Sequence, residues 1–485
     1  MNKRYAPSIV VVVITLIAIL VALIPDPAKA QGDSAGARLY VVAANFFTVR
    51  DSVTWHELVA RWSGADPLPL GMGQPTYDQL SDQLKDKLGS LGANTKIVPA
   101  DALVQWAWDH PDGWVIVPFD ELSPRLKVMQ IDDWNIFHLT TNADPYPLAF
   151  APESPGSSDK SADQPANYDP AQLTTVAMTG VTAMTRATAA QLDAHGAAWA
   201  TADIVPVLAN VDFVHISNEV SFSEDCPRSG KILLLGDFCS KDSYLDVLKR
   251  MRVNVVELTG NHNNDYGYAA ALRTLDIYRQ NGMATFGGGA NLDAAEKPLV
   301  VKNHGNTVMF VGCNTAGPDY AWATATNPGA ARCDAKWLDP LLSGSATGAN
   351  SANAVKIMDV QYAEYDQAWP LPQHRIDFAR LAEAGADVVI GTQAHLPQTF
   401  TFIGNKFVHY GLGNFLFDQK PTRQRQFFID KLIIYRGRLI SIELLTGIIE
   451  DQARPRLMSP AERKRFLEEI FYVSQITNLQ NKDSE

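Results

Sequence analysis

Short apolar runs and amphipathic stripes alternate through the second half of this chain. Residues 211–219 (VDFVHISNE), 253–260 (VNVVELTG), 355–365 (VKIMDVQYAEY), 387–395 (DVVIGTQAH) and 406–415 (KFVHYGLGNF) read as β-strands, each rich in β-branched or apolar side chains. All five end in polar groups capable of chemistry. Between them Tyr244, Val247, Leu248 and Met251 recur at helical spacing, as do Leu272, Leu275 and Tyr278 before the stop at Asn281-Gly282, and Phe378, Leu381 and Ala382 before Gly385. Strands alternating with helices predict a layered α/β domain with its ligand site at the carboxyl ends of the strands.

A second, smaller α/β domain is expected over residues 36–151, with strands at 38–46 and 114–119 and helices near 77–91 and 101–108. Residues 152–170, rich in Ser, Pro, Asp and Ala without periodicity, read as a linker to the main domain at 171–450. In the C-terminal extension, 451–485, Ser459-Pro460-Ala461-Glu462 has the pattern of a capping box, so a helix should start there, run to about Ser474 and pack on the domain surface.

At 485 residues with 46% hydrophobic content the chain can bury a sizeable core, and its net charge of -12 with no basic stretch excludes a nucleic-acid binder. Residues 1–30 read as an export signal or an uncleaved anchor: Lys3 and Arg4, an apolar run from 8 to 24, then Ala28-Lys29-Ala30. The protein is therefore expected outside the cytoplasmic membrane, secreted or tethered, touching the membrane only through this segment. Four cysteines suit an oxidising compartment; three connectivities exist, and pairing of sequence neighbours, Cys226 with Cys239 and Cys313 with Cys333, is the simplest. No CxxC pair suggests zinc, and no Gly-x-Ser-x-Gly elbow suggests a serine hydrolase. Gly287-Gly288-Gly289 lacks the lysine of a phosphate loop and reads as a turn, while His215 and His409 sit within apolar strands and read as core. Tyr320, Trp322, Tyr362 and Trp369 could form an aromatic wall for a polymer or simply close a core.

The densest chemistry follows residue 259. In Thr259-Gly260-Asn261-His262 the glycine lets the chain turn at a strand end, the Asn carboxamide is a neutral oxygen ligand and the histidine can ligate or pass a proton. Together with Ser217-Asn218-Glu219, residues 259–267 (TGNHNNDYG), Gly287 to Asn291 followed by Pro298, residues 384–395, and residues 410–418 (YGLGNFLFD), this stretch resembles the CapA family of capsule and poly-γ-glutamate synthesis, over about residues 173–450. The resemblance implies a metallophosphoesterase-like β-sandwich flanked by helices. It also implies Glu219, Asn261 and His395 as metal ligands and His262 as the general acid, with Asp265 and Asn414 supporting the rim; Arg186, Gln361, Glu364, Gln393 and Asn414 are the groups expected to meet a substrate, Gln361 and Gln393 as amides standing where the family has histidines. The bland alternative for Glu219 is a helix cap or a pair with Arg186. More loosely, the N-terminal unit resembles one lobe of an extracytoplasmic solute-binding protein, through Thr54, Glu57, Leu58, Trp62, Gly64 and residues 115–122 (VIVPFDEL); a packing unit without a ligand is the alternative.

Departures from the family pattern matter as much as the matches. Val181 stands where the family has an aspartate, residues 361–365 (QYAEY) lack the histidine of the family's His-aromatic-Gly-x-Glu-Tyr, and Gln393 replaces the first histidine of a His-x-His. A two-metal phosphoesterase needs anionic and imidazole ligands to generate its hydroxide. Two readings follow. Either a divalent ion (Mn, Zn or Mg) held by the remaining ligands assists a hydrolase or transferase acting on an envelope polymer or phosphoester, or the cleft holds no cofactor and binds a capsule-type polymer or sugar through side-chain amides; in both cases the partner is the envelope polymer or its synthesis machinery.

Overall fold

The computed structural model describes residues 38–138, 146–150, 167–227, 238–345 and 353–482; the expected export segment and most of the expected linker lie outside them. Two β-sheets face each other in the main unit. One has nine strands, ordered Ala284–Phe286, Val255–Glu257, Phe213–Asn218, Leu173–Thr179, Gln426–Tyr435, Arg438–Glu450 and Arg454–Leu457, with Val181–Thr182 bridging Phe213–Asn218 to Asn414–Leu416. The other has six, ordered Leu299–Asn303, Asn306–Asn314, Val355–Gln361, Val388–Thr392, Lys406–His409 and Phe400–Ile403. Parallel pairing dominates where strands alternate with helices, and a long antiparallel hairpin, Gln426–Tyr435 with Arg438–Glu450, completes the first sheet.

Side-chain alternation shows why these runs are mostly apolar on both faces. Val176, Met178, Val255, Phe310, Ile357, Val388 and Ile390 fill the space between the sheets. Their neighbours point outward: Ala177 and Val256 meet Leu192, Val247 and Tyr278, while Met309, Val311, Met358 and Val389 meet Leu338, Leu342, Phe378 and Leu381. Each inner strand thus buries both faces, one against the other sheet and one under helices, so neither face needs to be polar, and the few polar side chains on them, such as His215 and Asp359, are buried in pairs. The result is the expected layered sandwich flanked by helices.

One expected element divides. Residues 406–415 read as a single strand, but Lys406–His409 belongs to the six-stranded sheet and Asn414–Leu416 to the nine-stranded one. The chain crosses between sheets through Tyr410-Gly411-Leu412-Gly413. Gly413 has φ +80°, and a Cβ there would stand 2.9 Å from Pro397 Cδ, so the crossing needs a residue without a side chain. Asn414 is delivered to the site by this crossing.

The N-terminal unit has its own mixed sheet, ordered Thr95–Val98, Leu70–Gly73, Trp114–Pro118, Arg38–Asn45 and Leu126–Val128, with Ala149–Phe150 also pairing to Arg38–Asn45. The dispersed Thr54 to Gly64 pattern proves to be one helix, Trp55–Ser63: Thr54 and Glu57 form its capping box, Leu58 and Trp62 its buried stripe, and Gly64 its left-handed C-cap at φ +80°. This unit's core is continuous with the sandwich through Ile433, Tyr435 and Ile440, and Phe119 meets the Tyr435 ring edge-on at 5.1 Å. The C-terminal helix Pro460–Lys482 is longer than expected and opens with the Ser459–Glu462 capping pair. It does more than lie on the surface, since Phe466, Leu467, Ile470 and Phe471 join the inter-sheet core.

Both disulfides pair sequence neighbours, Cys226–Cys239 and Cys313–Cys333. His215 and His409 are fully buried between the sheets, each against a carboxylate: His215 Nε2 lies 3.2 Å from Asp359 and His409 Nδ1 2.6 Å from Asp430.

Candidate functional site

Strand ends from both sheets converge at one rim, and the sequence-derived residues fall there. Glu219 directly follows Phe213–Asn218, and its amide bonds the Thr182 carbonyl at 3.0 Å. Asn261 and His262 lie on the turn beyond Val255–Glu257; His262 makes a backbone bridge to Val220. That turn packs so tightly on its neighbour that a Cβ at Gly260 would stand 2.8 Å from the Glu219 Cα.

His262 is built into a polar triad. Its Nδ1 lies 2.6 Å from Asp265 Oδ2, which also accepts the Phe238 amide at 3.2 Å, and the other Asp265 oxygen accepts the Tyr320 hydroxyl at 3.0 Å. The Asp265 side chain is fully buried, so it positions His262 rather than meeting a ligand. Burial pulls the His262 imidazolium down, but the Asp265 hydrogen bond and the negative charge of Glu219 more than reverse this, leaving its pKa above the ordinary histidine value. Its Nε2 remains for a ligand.

His395 is held in the same way by a neutral partner. Its Nδ1 lies 2.8 Å from Asn414 Oδ1, while the Asn414 amide nitrogen faces the carbonyls of His395 and Gln424 at 3.0 and 2.9 Å. With the amide nitrogen committed to acceptors, Asn414 Oδ1 must accept, so His395 carries its proton on Nδ1 and presents the Nε2 lone pair. Phe417 stacks on His395 at 5.2 Å and Phe238 meets His262 edge-on at 4.6 Å. Arg186 spans the two, its guanidinium 4.8 Å from the Phe417 ring and 5.2 Å from that of Phe238. The Arg186 partner is Asp418 rather than Glu219: the guanidinium forks onto both Asp418 oxygens, and the Ala187 amide adds a third bond at 3.0 Å.

A chain of amides closes the rim. Gln361, fully buried at the end of Val355–Gln361, donates through Nε2 to Asn261 Oδ1 at 3.0 Å and to Gln393 Oε1, while its own oxygen accepts the Thr392 hydroxyl at 3.2 Å. Gln393 holds this place at φ +77°, a conformation costly for a residue with a Cβ and typical of functional positions. Glu364 stays apart, exposed on the loop after Val355–Gln361, with no hydrogen bond tying it to the others among the described residues. Of the four candidate wall aromatics, Tyr320 joins the triad and is 44% exposed; Trp369 is exposed on a loop, Trp322 bonds Asn314, and Tyr362 stacks on His374 beside Asp377.

Does this donor set fit divalent metal? Val181, paired with Ser217 and Asn414 at the point where a carboxylate would project, supplies no ligand. The oxygens of Asn261 and Gln393 are both turned onto the Gln361 amino group, which sits between them as a cation would. Among the described residues no three His, Cys, Asp or Glu side chains gather to hold an ion. The set does not fit a metal centre. What it offers instead is hydrogen-bonding groups: Glu219 Oε1 and Asn218 Oδ1, on consecutive residues at one strand end, are buried acceptors without a hydrogen-bond partner among the described residues.

Sequence reasoning missed Asp418, Phe417, Asn218 and Phe238 as parts of the site. The first three lie inside stretches already singled out for their motifs, where position after a strand end was the available signal. Phe238 had none beyond its place next to Cys239.

The bacterial capsule synthesis protein PGA_cap family model matches residues 175–419, which contain every residue of the rim. A PGA biosynthesis protein CapA from Bacillus subtilis (strain 168) is 28% identical over 226 residues, 46% of this chain and 57% of that protein. A capsule biosynthesis protein CapA from Bacillus anthracis is 23% identical over 255 residues, 52% of this chain and 61% of that one. A Mycobacterium tuberculosis (strain CDC 1551 / Oshkosh) protein named "Probable polyglutamine synthesis accessory protein" is 26% identical over 220 residues, 41% and 56% of the two chains. The chain thus spans between 56% and 61% of the length of these relatives. With half of its length matched by the family model, the chain belongs to the bacterial capsule synthesis protein PGA_cap family.

Proposed function

We propose that this protein is an extracytoplasmic accessory of envelope polymer synthesis that binds an amide-linked polymer in the rim cleft without hydrolysing it. The observation behind this reading is the Gln361 amide, which satisfies the oxygens of Asn261 and Gln393 where an ion would otherwise be held. The names of the relatives, PGA biosynthesis and polyglutamine synthesis accessory protein, point to the same class of polymer. A polyamide offers one N–H donor per residue, and Glu219 Oε1 and Asn218 Oδ1 are buried acceptors in want of donors. His262, more readily protonated than an ordinary histidine, supplies positive charge for a polymer carboxylate. Tyr320 offers an exposed ring beside it. The polymer reaches the cleft outside the membrane, and the synthesis machinery is the natural partner that delivers it.

The test is calorimetric titration with γ-linked glutamate and α-linked glutamine oligomers, of wild type and of Gln361→Leu and His262→Ala. Binding to wild type that weakens at least tenfold in Gln361→Leu supports the proposal; no binding of either oligomer, or turnover of one, overturns it.

A further inference from the structure

Directly after Asn261 and His262 the chain places two consecutive amides, Asn263 and Asn264, that the rim does not use. They are 6% and 5% exposed, and both line a cavity of about 20 Å³ together with Ser221, Ala271, Thr274 and Gly289. A water needs roughly 10–15 Å³ of such space, so the cavity has the size of one small molecule.

Hydrogen bonds fix which way each amide is turned. Asn263 Nδ2 faces the carbonyls of Leu258 and Gly260, each at 3.3 Å, and Asn264 Nδ2 faces those of Tyr320 at 2.7 Å and Pro328 at 3.0 Å. Flipping either amide would set oxygen against oxygen. The two Oδ1 atoms are therefore acceptors, and both are buried without a hydrogen-bond partner. The hydroxyls of the lining do not serve them, since Ser221 donates to the Asn263 carbonyl at 2.6 Å and Thr274 to the Ala270 carbonyl at 2.8 Å. Thr274 in turn accepts the Phe222 amide at 2.8 Å.

The chemistry of the occupant follows by elimination. Buried acceptors left bare are destabilising, so an apolar occupant is disfavoured, and an anion would bring further acceptors to two that already lack a donor. A hard cation such as calcium takes six to eight oxygens, far more than two neutral amides supply. We infer that this cavity binds one water as a fixed part of the turn, donating one hydrogen to Asn263 Oδ1 and the other to Asn264 Oδ1. Asn264 also holds the Tyr320 carbonyl, and the Tyr320 hydroxyl bonds Asp265, the partner of His262. The water thus completes the bonding of the segment on which the triad is built, whatever the rim binds.

The test is a crystal structure of the full exported chain grown in rubidium chloride, with data collected at the rubidium absorption edge and to a resolution that shows ordered waters. The expected result is one fully occupied peak within about 2.5–3.0 Å of both oxygens and no anomalous signal there. Ala271→Val, which adds two methyl groups to the lining, should remove the peak and lower the melting temperature, because the oxygens lose their donor. A wild-type site without density, a peak that reaches only one oxygen, a rubidium signal, or a variant that loses the peak yet melts no lower than wild type overturns the inference. Should Ala271→Val fail to fold, the wild-type map decides.

Discussion

Replacing Asp265 by Asn isolates what its charge does at the rim. The buried carboxylate accepts three hydrogen bonds, from His262 Nδ1 at 2.6 Å, the Phe238 amide at 3.2 Å and the Tyr320 hydroxyl at 3.0 Å. An asparagine can keep its oxygen on His262 and Phe238 and turn its amino group to Tyr320, whose hydroxyl rotates to accept. The number of bonds is preserved and only the charge is lost. Hydrogen bonds to charged groups contribute about 1.5–3 kcal/mol and neutral ones about 0.5–1.5, so each of the three bonds loses roughly 1–1.5 kcal/mol and the total loss should not exceed about 4.5 kcal/mol. With Asp265 neutral, its charge no longer favours the imidazolium and the His262 pKa falls, though Glu219 still raises it. The sign follows from linkage. A histidine whose folded pKa is raised contributes stability that is fully present below its unfolded value and lost as pH rises through the folded one. Asp265→Asn should lessen that decline. The assay pairs NMR titration of the histidine Cε1 protons, with His262→Gln to assign the resonance, with urea unfolding at several pH values. An unchanged His262 titration in Asp265→Asn, or a stability loss well beyond about 4.5 kcal/mol, would refute the reasoning.

Other perturbations probe the supports beneath and around the rim. Burial and the neighbouring Asp359 carboxylate push Glu257 up to about 7, so the native state binds its proton more tightly than the unfolded chain does. That contribution is complete below about pH 4.3, the unfolded carboxyl value, and is lost as pH rises through the folded value. Glu257→Gln should therefore flatten the decline and add about 2–4 kcal/mol at pH 8; equal urea midpoint shifts between pH 5 and pH 8 in variant and wild type would contradict this. The double variant Cys226→Ala/Cys239→Ala should cost about 2–4 kcal/mol in thermal or urea unfolding. It should also weaken oligomer binding at temperatures where the fold persists, because Phe238, next to Cys239, packs on His262 and bonds Asp265; unaltered affinity would show that the disulfide does not hold the triad. At Gly391 an added Cβ would stand 2.0 Å from the Tyr410 carbonyl, so Gly391→Ala should destabilise by more than about 3 kcal/mol, and a melting temperature near wild type would refute that packing account.

Much of the sandwich was legible because strands buried on both faces are mostly apolar: residues 388–391 (VVIG) and the Val, Ile and Met positions of 355–361 announce themselves by composition. Strand-end chemistry was legible for the same reason, since Asn261, His262, Gln361 and Gln393 stand out where such runs stop. The crossing at residues 410–413 was not, because an apolar run shows no sign that its two halves pair in different sheets until Gly413 is seen to need a left-handed backbone. Nor could the partner of Arg186 be read from spacing, for Asp418 lies 232 residues away and reaches it only through sheet assembly. His215 and His409 were rightly assigned to the core, yet their carboxylate partners Asp359 and Asp430 come from other strands and had no local signal. Glu364 shows the converse failure: a carboxylate beside a motif that the fold leaves exposed on a loop.

The most direct test of a metal-independent binding cleft is elemental analysis by mass spectrometry of residues 31–485, purified without chelators and then incubated with Mn, Zn or Mg, beside His262→Ala and His395→Ala. The donor set predicts well under one ion per chain in all three proteins. One or more ions per wild-type chain, lost in both variants, would contradict the account and identify Glu219, His262 and His395 as ligands of a working metal centre.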